Sequence, residues 1–354
     1  MNEQNALLEK FINIVVQEDA SDLHLSEGRP PVIRVSGSLV TLVKEKVLTK
    51  VDMEALSKIF LNIEAHDRFL KSHEVDFSYS FKNIARFRGN GFFSQEKINF
   101  ALRLIPQNIK SLQELNLPPI LESFTQLQQG FFLVVGPVGQ GKTTTLASMV
   151  ETINLNRLEH IITIEDPIEY IYTEKKSIID QREVRIDTAS FHIGLHNVFR
   201  QDIDVVLVGE MRGLETISTA VTAAETGHLV FSTLHTNDAA QTIDRIIDSF
   251  PAEQQEQIRI QLAGSLSGIF SQRLVPRISG GLVPAYELLI NNNAIANLIR
   301  KKRTHEISST IETSSEQGMI DMNRSLADLV QRGEITIENA YQHSHNPKSL
   351  EKMI

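Results

Sequence analysis

The sequence predicts an α/β protein in two parts, an N-terminal α+β unit and a larger unit built on a mainly parallel sheet. Three observations carry this reading. Four short apolar runs, at 131–135, 161–164, 205–208 and 229–233, read as strands buried on both faces. Segments of helical spacing separate them, the alternation that a parallel sheet needs. Residues 1–105 instead show alternating runs parted by turn residues, which fits an antiparallel sheet with helices.

Taken in order, residues 5–17 place Leu7, Leu8, Phe11, Ile14 and Val15 at helical spacing. Residues 19–22 break that helix, and 23–25 alternate as a short strand. The cluster 28–31 is a turn, and 32–35 with 38–42 reads as a hairpin about Ser36 and Gly37. Met53, Leu56, Ile59, Phe60 and Phe69 give one helix over 51–70. Residues 76–81 alternate as a strand, and 85–89 and 92–105 add more. Pro106, Pro118 and Pro119 frame a polar stretch without long periodicity. The expected division is therefore a first domain at 1–106, a linker at 107–119 and a second domain at 120–354. In the second, helices are expected over 144–153, 214–224, 238–247 and 251–270, the last carrying Ile258, Ile260, Leu262, Leu266 and Ile269. A turn at 279–281 precedes a strand at 283–290, and the remainder from 294 reads as short helices with polar faces.

Composition narrows the function classes. With 354 residues, 41% of them hydrophobic and 22% charged, the chain has the make-up of a globular protein of two or three domains. A net charge of −9 argues against broad binding to nucleic acid or anionic membranes. There is no cysteine, which removes disulfides, thiol chemistry and cysteine-based zinc sites. No apolar run approaches the roughly 18 residues needed to span a bilayer, so direct membrane insertion is not expected. The first residues lack the basic region of a signal peptide.

The sharpest local pattern follows the run 131–135. Gly136, Pro137, Val138, Gly139, Gln140, Gly141, Lys142 and Thr143 match the phosphate-loop pattern G-x4-G-K-[ST], with the strand before and the helix after that the motif requires. Glycines let successive backbone N–H groups converge on phosphate oxygens, and the helix N-terminus adds positive potential. Lys142 is placed to reach the β- and γ-phosphates of ATP, and the Thr143 hydroxyl to ligate Mg²⁺, with Thr144 completing the nucleotide-binding set.

Hydrolysis further needs a group that orients or activates water. Two acidic clusters stand at expected strand ends, where ligands of open α/β sheets collect. One contains Glu165, Asp166 and Glu169, the other Glu210. Gly209 occupies the place of the usual Walker-B aspartate, so Mg²⁺ falls to Thr143, phosphate oxygens, waters and Glu165 or Glu169. Glu210 is the choice for polarising the attacking water. The plainer alternatives are a helix N-terminal carboxylate for Glu210 and a loop ion pair for Glu169. His228 and His235 bracket the run 229–234. Histidine at a strand end can sense a phosphate, couple to a neighbouring subunit, or be satisfied structurally; no third ligand at recognisable spacing favours a metal. Arg86, Arg88 and Arg103, with Arg200 and Arg212, are the candidates for an arginine finger, although each taken singly reads as a surface ion pair. The basic run 300–303 reads as a solvated helix end.

On these motifs the chain resembles the secretion ATPases of type IV pilus and type II secretion systems, and within them the retraction branch. The likeness covers nearly the whole chain. Residues 136–145 resemble the family's Walker A, 163–169 its Asp box, 206–212 its Walker B, where Gly for Asp is usual, and 227–237 its His box. The resemblance implies a PAS-like N-terminal domain, a RecA-like P-loop ATPase domain and a homohexameric ring with ATP between domains and subunits. It implies Glu169 and Glu210 as the catalytic acidic pair and His228 and His235 as nucleotide-linked sensors. It also implies that Arg86, Arg88 and Arg103 approach the phosphates. The implied reaction is Mg²⁺-dependent hydrolysis of ATP to ADP and phosphate, powering pilus retraction and twitching motility. The implied partners are an inner-membrane pilus platform protein and a paralogous retraction ATPase, at the cytoplasmic face of the cell membrane.

Two features favour retraction over extension. Extension ATPases carry a long extra N-terminal region and a four-cysteine metal site, and this chain has no cysteine. Residues 294–301 resemble the retraction motif Ala-Ile-Arg-Asn-Leu-Ile-Arg-Glu, and Gly318 with Met319 resembles a later Gly-Met segment. Ala296 and Lys301 replace the motif's Arg and Glu, and Gly213 replaces an Asp common after the Walker-B Arg. These departures keep two alternatives open, an accessory retraction ATPase and a nucleotide-gated scaffold that regulates another pilus motor. A nucleic-acid translocase is opposed by the net charge and by an aromatic content of 6%.

Overall fold

The computed structural model describes residues 3–35, 37–82, 84–105, 108–211 and 213–354. Ser36, Pro106 and Arg212, expected in a hairpin turn, at a linker boundary and as a finger candidate, lie outside the described residues. The chain divides into two units, Met1–Asn108 with Pro167–Ile171, and Ile109–Asp166 with Tyr172–Ile354.

The first unit opens on helix α1 (Glu3–Gln17), which buries Leu8, Phe11, Ile12 and Val15 at the helical spacing read from the sequence. Strands β1 (Asp22–Ser26), β2 (Val32–Val35) and β3 (Ser38–Thr41) follow. The helix expected over 51–70 is two helices, α2 (Lys50–Phe60) and α3 (Ile63–Ser72). Leu61 is extended, and Asn62 caps α3 by accepting the Ala65 N–H. The apolar spacing runs through this break because both helices bury residues in one core, Met53, Leu56 and Phe60 from α2 and Ala65 and Phe69 from α3. Strands β4 (Glu74–Phe81), β5 (Ala85–Ser94) and β6 (Lys97–Ile105) complete the sheet. The run expected over 92–105 is interrupted by a two-residue hairpin at Gln95 and Glu96, both with positive φ (51° and 61°). Among the described residues the sheet is antiparallel throughout, in the order β3-β2-β1-β6-β5-β4. Phe69 of α3 and Phe87 and Phe100 of the sheet are fully buried in the core of this unit, each contributing about 1.5–3 kcal/mol by leaving water.

In the second unit, Leu112 and Leu117, from the stretch expected as a linker, pack into the core with helix α4 (Leu121–Thr125). This stretch is therefore docked and not a free tether. Strand β7 (Gly130–Val135) leads through the phosphate loop to helix α5 (Lys142–Asn156). Then come β8 (His160–Glu165), β9 (Ile178–Glu183), α6 (Phe191–Val198), β10 (Val205–Val208), α7 (Leu214–Glu225), β11 (Leu229–Leu234) and α8 (Ala239–Asp248). The helix expected to run to 270 ends earlier, as α9 (Ala252–Ser265), and Leu266 and Ile269 open a long strand, β12 (Leu266–Pro276). Its terminator is distant in sequence: the Asn291 side-chain amide donates to the carbonyls of Ala263 (3.1 Å) and Leu266 (2.7 Å), satisfying groups that a helix end leaves open. Strand β13 (Leu282–Ile290) pairs antiparallel with β12. Helices α10 (Asn293–Arg300), α11 (Ile307–Thr313), α12 (Met322–Gln331), α13 (Ile337–His343) and α14 (Pro347–Leu350) follow.

Among the described residues this sheet runs β13-β12-β7-β11-β10-β8-β9, parallel except for β13. Phe131, Leu133, Val135, Val206, Val208 and Val230 line one face, and Phe132, Val134, Val205, Leu207, Leu229 and Phe231 the other. The four runs read from the sequence are thus buried on both faces. Parallel pairing also brings the C-terminal ends of β7, β11, β10 and β8 to one edge, which decides where a ligand can sit.

Candidate nucleotide site

The loop after β7 owes its path to glycine. Gly136 has φ +139°, and a Cβ there would overlap the Gln272 carbonyl oxygen of β12. Gly141 has φ +78° and serves as the N-cap of α5 with no side-chain cap. The cap thus offers no side chain to the first N–H groups of α5, and the helix dipole adds positive potential there. Lys142 is buried, and its ammonium donates to the carbonyls of Gly136 (2.7 Å) and Pro137 (2.8 Å).

His235, just past β11, lies beside this lysine, with Nδ1 3.2 Å from Lys142 Nζ. Its other ring nitrogen, Nε2, is 3.2 Å from Glu210 Oε1. Lys142, His235 and Glu210 thus form a chain of contacts across the ends of β7, β11 and β10. The Glu210 segment is fastened to β11 by two hydroxyls: Ser232 Oγ donates to the Val208 carbonyl (2.6 Å) and Thr233 Oγ1 to that of Gly209 (2.7 Å). The geometry also accounts for glycine at 209. Its N–H donates to the Ile164 carbonyl (2.8 Å), and a Cβ would stand 3.3 Å from that same oxygen. Glu210 and His235 open onto a cleft of about 550 Å³ that also reaches Asn237, Gln241 and Arg245.

Glu165, at the end of β8, is buried, and its Oε1 accepts from Thr163 Oγ1 (2.6 Å) and Gln181 Nε2 (3.3 Å). Glu169 belongs to the Pro167–Ile171 segment that groups with the first unit, where its Oε1 meets Arg88 Nη1 at 3.4 Å. Arg103 pairs with the buried Asp22 at 3.0 Å, and Arg34 approaches the same carboxylate at 3.7 Å. Arg86 stands opposite Ile105 on the β5–β6 ladder, and Arg88 opposite Arg103.

The structure brings His235 to Lys142 but not His228. His228 precedes β11, so a strand of six residues separates it from the loop end, roughly 20 Å at 3.3 Å per residue. Its Nδ1 lies 3.1 Å from the Ala223 carbonyl at the end of α7, and its ring packs edge-on against Phe199. Within this chain His228 thus stands at the end of α7.

A divalent cation fits the loop. The Thr143 hydroxyl sits in the first turn of α5 and has no protein hydrogen-bond partner among the described residues. No group of three His, Asp or Glu side chains among the described residues could hold a metal alone. A cation at Thr143 would therefore need further oxygen ligands from a bound phosphate or water.

Three residues that matter here carry no local motif. Gln272 and Leu274 of β12 hold the loop residue Gln140, at 2.8 Å and 2.7 Å. Glu287 of β13 lies buried behind the His235 loop and accepts the Ala239 N–H at the start of α8 (2.8 Å). Burial, with Asp238 and Asp321 nearby, pushes its carboxyl up to about 7 against the pull of that N–H. Of the departures noted in the sequence, Gly213 is the extended N-cap of α7, Ala296 is buried on α10, and Lys301 ends α10 exposed.

The pattern of the family described as Type II/IV secretion system protein matches residues 2–281. The type IV pilus retraction ATPase PilT of Pseudomonas aeruginosa is 42% identical over 94% of this chain and 97% of its own. The type IV pilus ATPase PilU of the same organism is 39% identical over 98% of this chain and 91% of its own. The crystal structure of the pilus retraction motor PilT with bound ADP superposes with a TM-score of 0.91 at 45% identity, covering 97% of this chain and 98% of that one.

Proposed function

The chain belongs to the type II/IV secretion system protein family, and from that premise we propose that it is an ATP-hydrolysing motor that powers type IV pilus retraction. The observation that carries the reading is the contact chain Lys142–His235–Glu210 at the phosphate-loop edge of the parallel sheet. It joins the group that meets phosphate to the carboxylate that meets water.

In this reading ATP lies on the loop 136–141, its phosphates accepting from loop N–H groups and from Lys142. Thr143 would hold Mg²⁺, which when bound spreads the negative charge of the β- and γ-phosphates. Glu210 polarises the attacking water and takes up its proton as the water oxygen bonds to the γ-phosphorus; the P–O bond to ADP breaks, and ADP and phosphate depart. His235, in reach of both Lys142 and Glu210, reports an occupied loop to the hydrolytic carboxylate. Glu169 supplies the second acidic group, and Arg86, Arg88 and Arg103 counter charge that develops on the phosphoryl group. The protein works as a homohexamer, closing and reopening residues 1–106 against the ATPase domains as ATP and ADP exchange. No helix among the described residues is long and apolar enough to cross a membrane; in this reading the motor acts at the membrane on a pilus platform protein.

The test is steady-state turnover with two variants. Glu210→Gln should bind ATP as wild type does and lose at least about a hundredfold in kcat, the usual scale for a proton-handling group. Lys142→Ala should lose nucleotide binding or turnover. Wild-type turnover in Glu210→Gln sinks its assigned role. An accessory retraction ATPase is the second reading, motivated by Ala296 and Lys301; a protein that turns over ATP but restores retraction only beside a second retraction motor would establish it.

A further inference from the structure

We propose that Gln272 is a positioning residue for the nucleotide site: its side-chain amide sets the phosphate loop in its binding shape from the neighbouring strand. The proposal rests on the nucleotide-binding reading above.

Strands β7 and β12 pair in parallel as far as Val135 and Ser271. Beyond that point β7 gives way to the loop, while β12 continues for five residues alongside it. Gln272 is the first of those five, and it is buried. Its Nε2 donates to the Gln140 carbonyl (2.8 Å), and its Oε1 accepts from Thr145 Oγ1 of α5 (2.6 Å). In return the Gln140 side chain, through Oε1, accepts the Leu274 N–H (2.7 Å). The loop is thus tied to β12 at Gln140 by two side-chain hydrogen bonds, beyond the point where the β7–β12 ladder ends. The two glycines that shape the loop meet the same residue, since a Cβ at Gly136 would overlap the Gln272 carbonyl and one at Gly141 would stand 3.0 Å from its Nε2.

The chemistry demands an amide. One end must donate, because a carbonyl can only accept, and the other end must accept the Thr145 hydroxyl. A carboxylate of the same shape would keep the second bond and set oxygen against oxygen at the first. The orientation has a consequence for binding. In a planar trans peptide the C=O and the next N–H point in opposite directions. Fixing the Gln140 carbonyl on β12 therefore aims the Gly141 N–H away from β12. A loop that binds phosphate through such groups is preorganised by that contact, at a cost already met in folding.

The experiment compares wild type, Gln272→Glu and Thr145→Val by fluorescence titration with labelled ADP, by steady-state ATP turnover and by thermal melting. Gln272→Glu should raise the ADP Kd and the KM for ATP about tenfold, the effect of a lost buried hydrogen bond, with a smaller change in kcat and a melting midpoint lower by several degrees in a single cooperative transition. Thr145→Val, which removes only the hydroxyl, should raise both in the same direction by less. Unchanged Kd and KM in a folded Gln272→Glu protein overturn the proposal. If that variant does not fold, Thr145→Val decides, and an unchanged Kd in it overturns the proposal equally. Wild-type protein that binds no ADP would instead overturn the nucleotide reading, and with it this role for Gln272.

Discussion

A carboxylate that cannot reach water is felt first in stability. Glu287 is buried between β13 and the start of α8, with Asp238 and Asp321 adding negative potential and a single backbone N–H opposing them. Its folded pKa of about 7 stands above the ordinary 4.5. In the folded protein it therefore binds a proton across a window where the unfolded chain has released it. The sign follows from linkage: the stabilisation is fully present below pH 4.5 and is lost as pH rises through about 7. Glu287→Gln keeps an oxygen for the Ala239 N–H and removes the titration. Its stability relative to wild type should climb by on the order of 2–3 kcal/mol between pH 5 and pH 8. Urea unfolding at the two pH values measures this, and parallel curves for the two proteins would refute it. The same carboxylate holds the start of α8, the helix that follows His235, so the variant's turnover profile should also flatten near neutral pH.

At the level of the element, a local signal was legible wherever one short segment decided the outcome. The phosphate loop is such a case, because its glycines, lysine and threonine are contiguous and the strand before it is continuously apolar. Glu210 and His235 were each placed at a strand end by the sequence, and their contact follows from the fold: parallel strands end at one edge, so polar residues there become neighbours. The sequence failed where partners are remote. Leu266 and Ile269 continue a helical spacing that outweighed the local breakers Gly264 and Gly268, and the Asn291 amide that meets the carbonyls at the helix end is remote in sequence. Gln272 was invisible because its partners lie 132 and 127 residues away. The split of the helix over 51–70 was legible in principle, since Asn62 is a good N-cap, but the apolar spacing masked it. That cap can be weighed. Asn62→Ala removes the acceptor for the Ala65 N–H and should cost about 1 kcal/mol, lowering the stability of the first unit while leaving ADP affinity within about twofold. A loss of ADP affinity from this change would mean that α3 acts on the nucleotide site.

For the whole molecule, the decisive fact is how the charged groups are divided. Lys142, His235 and Glu210 belong to the second unit, whereas Arg86, Arg88, Arg103 and the Glu169 segment belong to the first. Within the first unit Arg88 is engaged by Glu169 and Arg103 by Asp22. The Arg88–Glu169 pair is part-exposed, and such pairs are weak, roughly 0–1 kcal/mol, so a phosphoryl group can compete for Arg88 at little cost, whereas drawing Arg103 away would leave the buried Asp22 carboxylate to Arg34 alone. Phosphoryl transfer draws much of its rate from a cation brought to the developing charge, an effect on the order of 10³–10⁵ in kcat where an arginine finger is involved. If the proposed ring brings one subunit's arginines to the next subunit's phosphate loop, turnover must depend on assembly. Turnover per subunit should then rise steeply across the protein concentrations at which light scattering records growth from monomer to hexamer. Arg88→Ala should lower that plateau at least tenfold while leaving the assembled mass unchanged. Turnover that is constant down to concentrations where the protein is monomeric would remove both the ring and the arginines from catalysis, and would leave Lys142, His235 and Glu210 as a site complete within one chain.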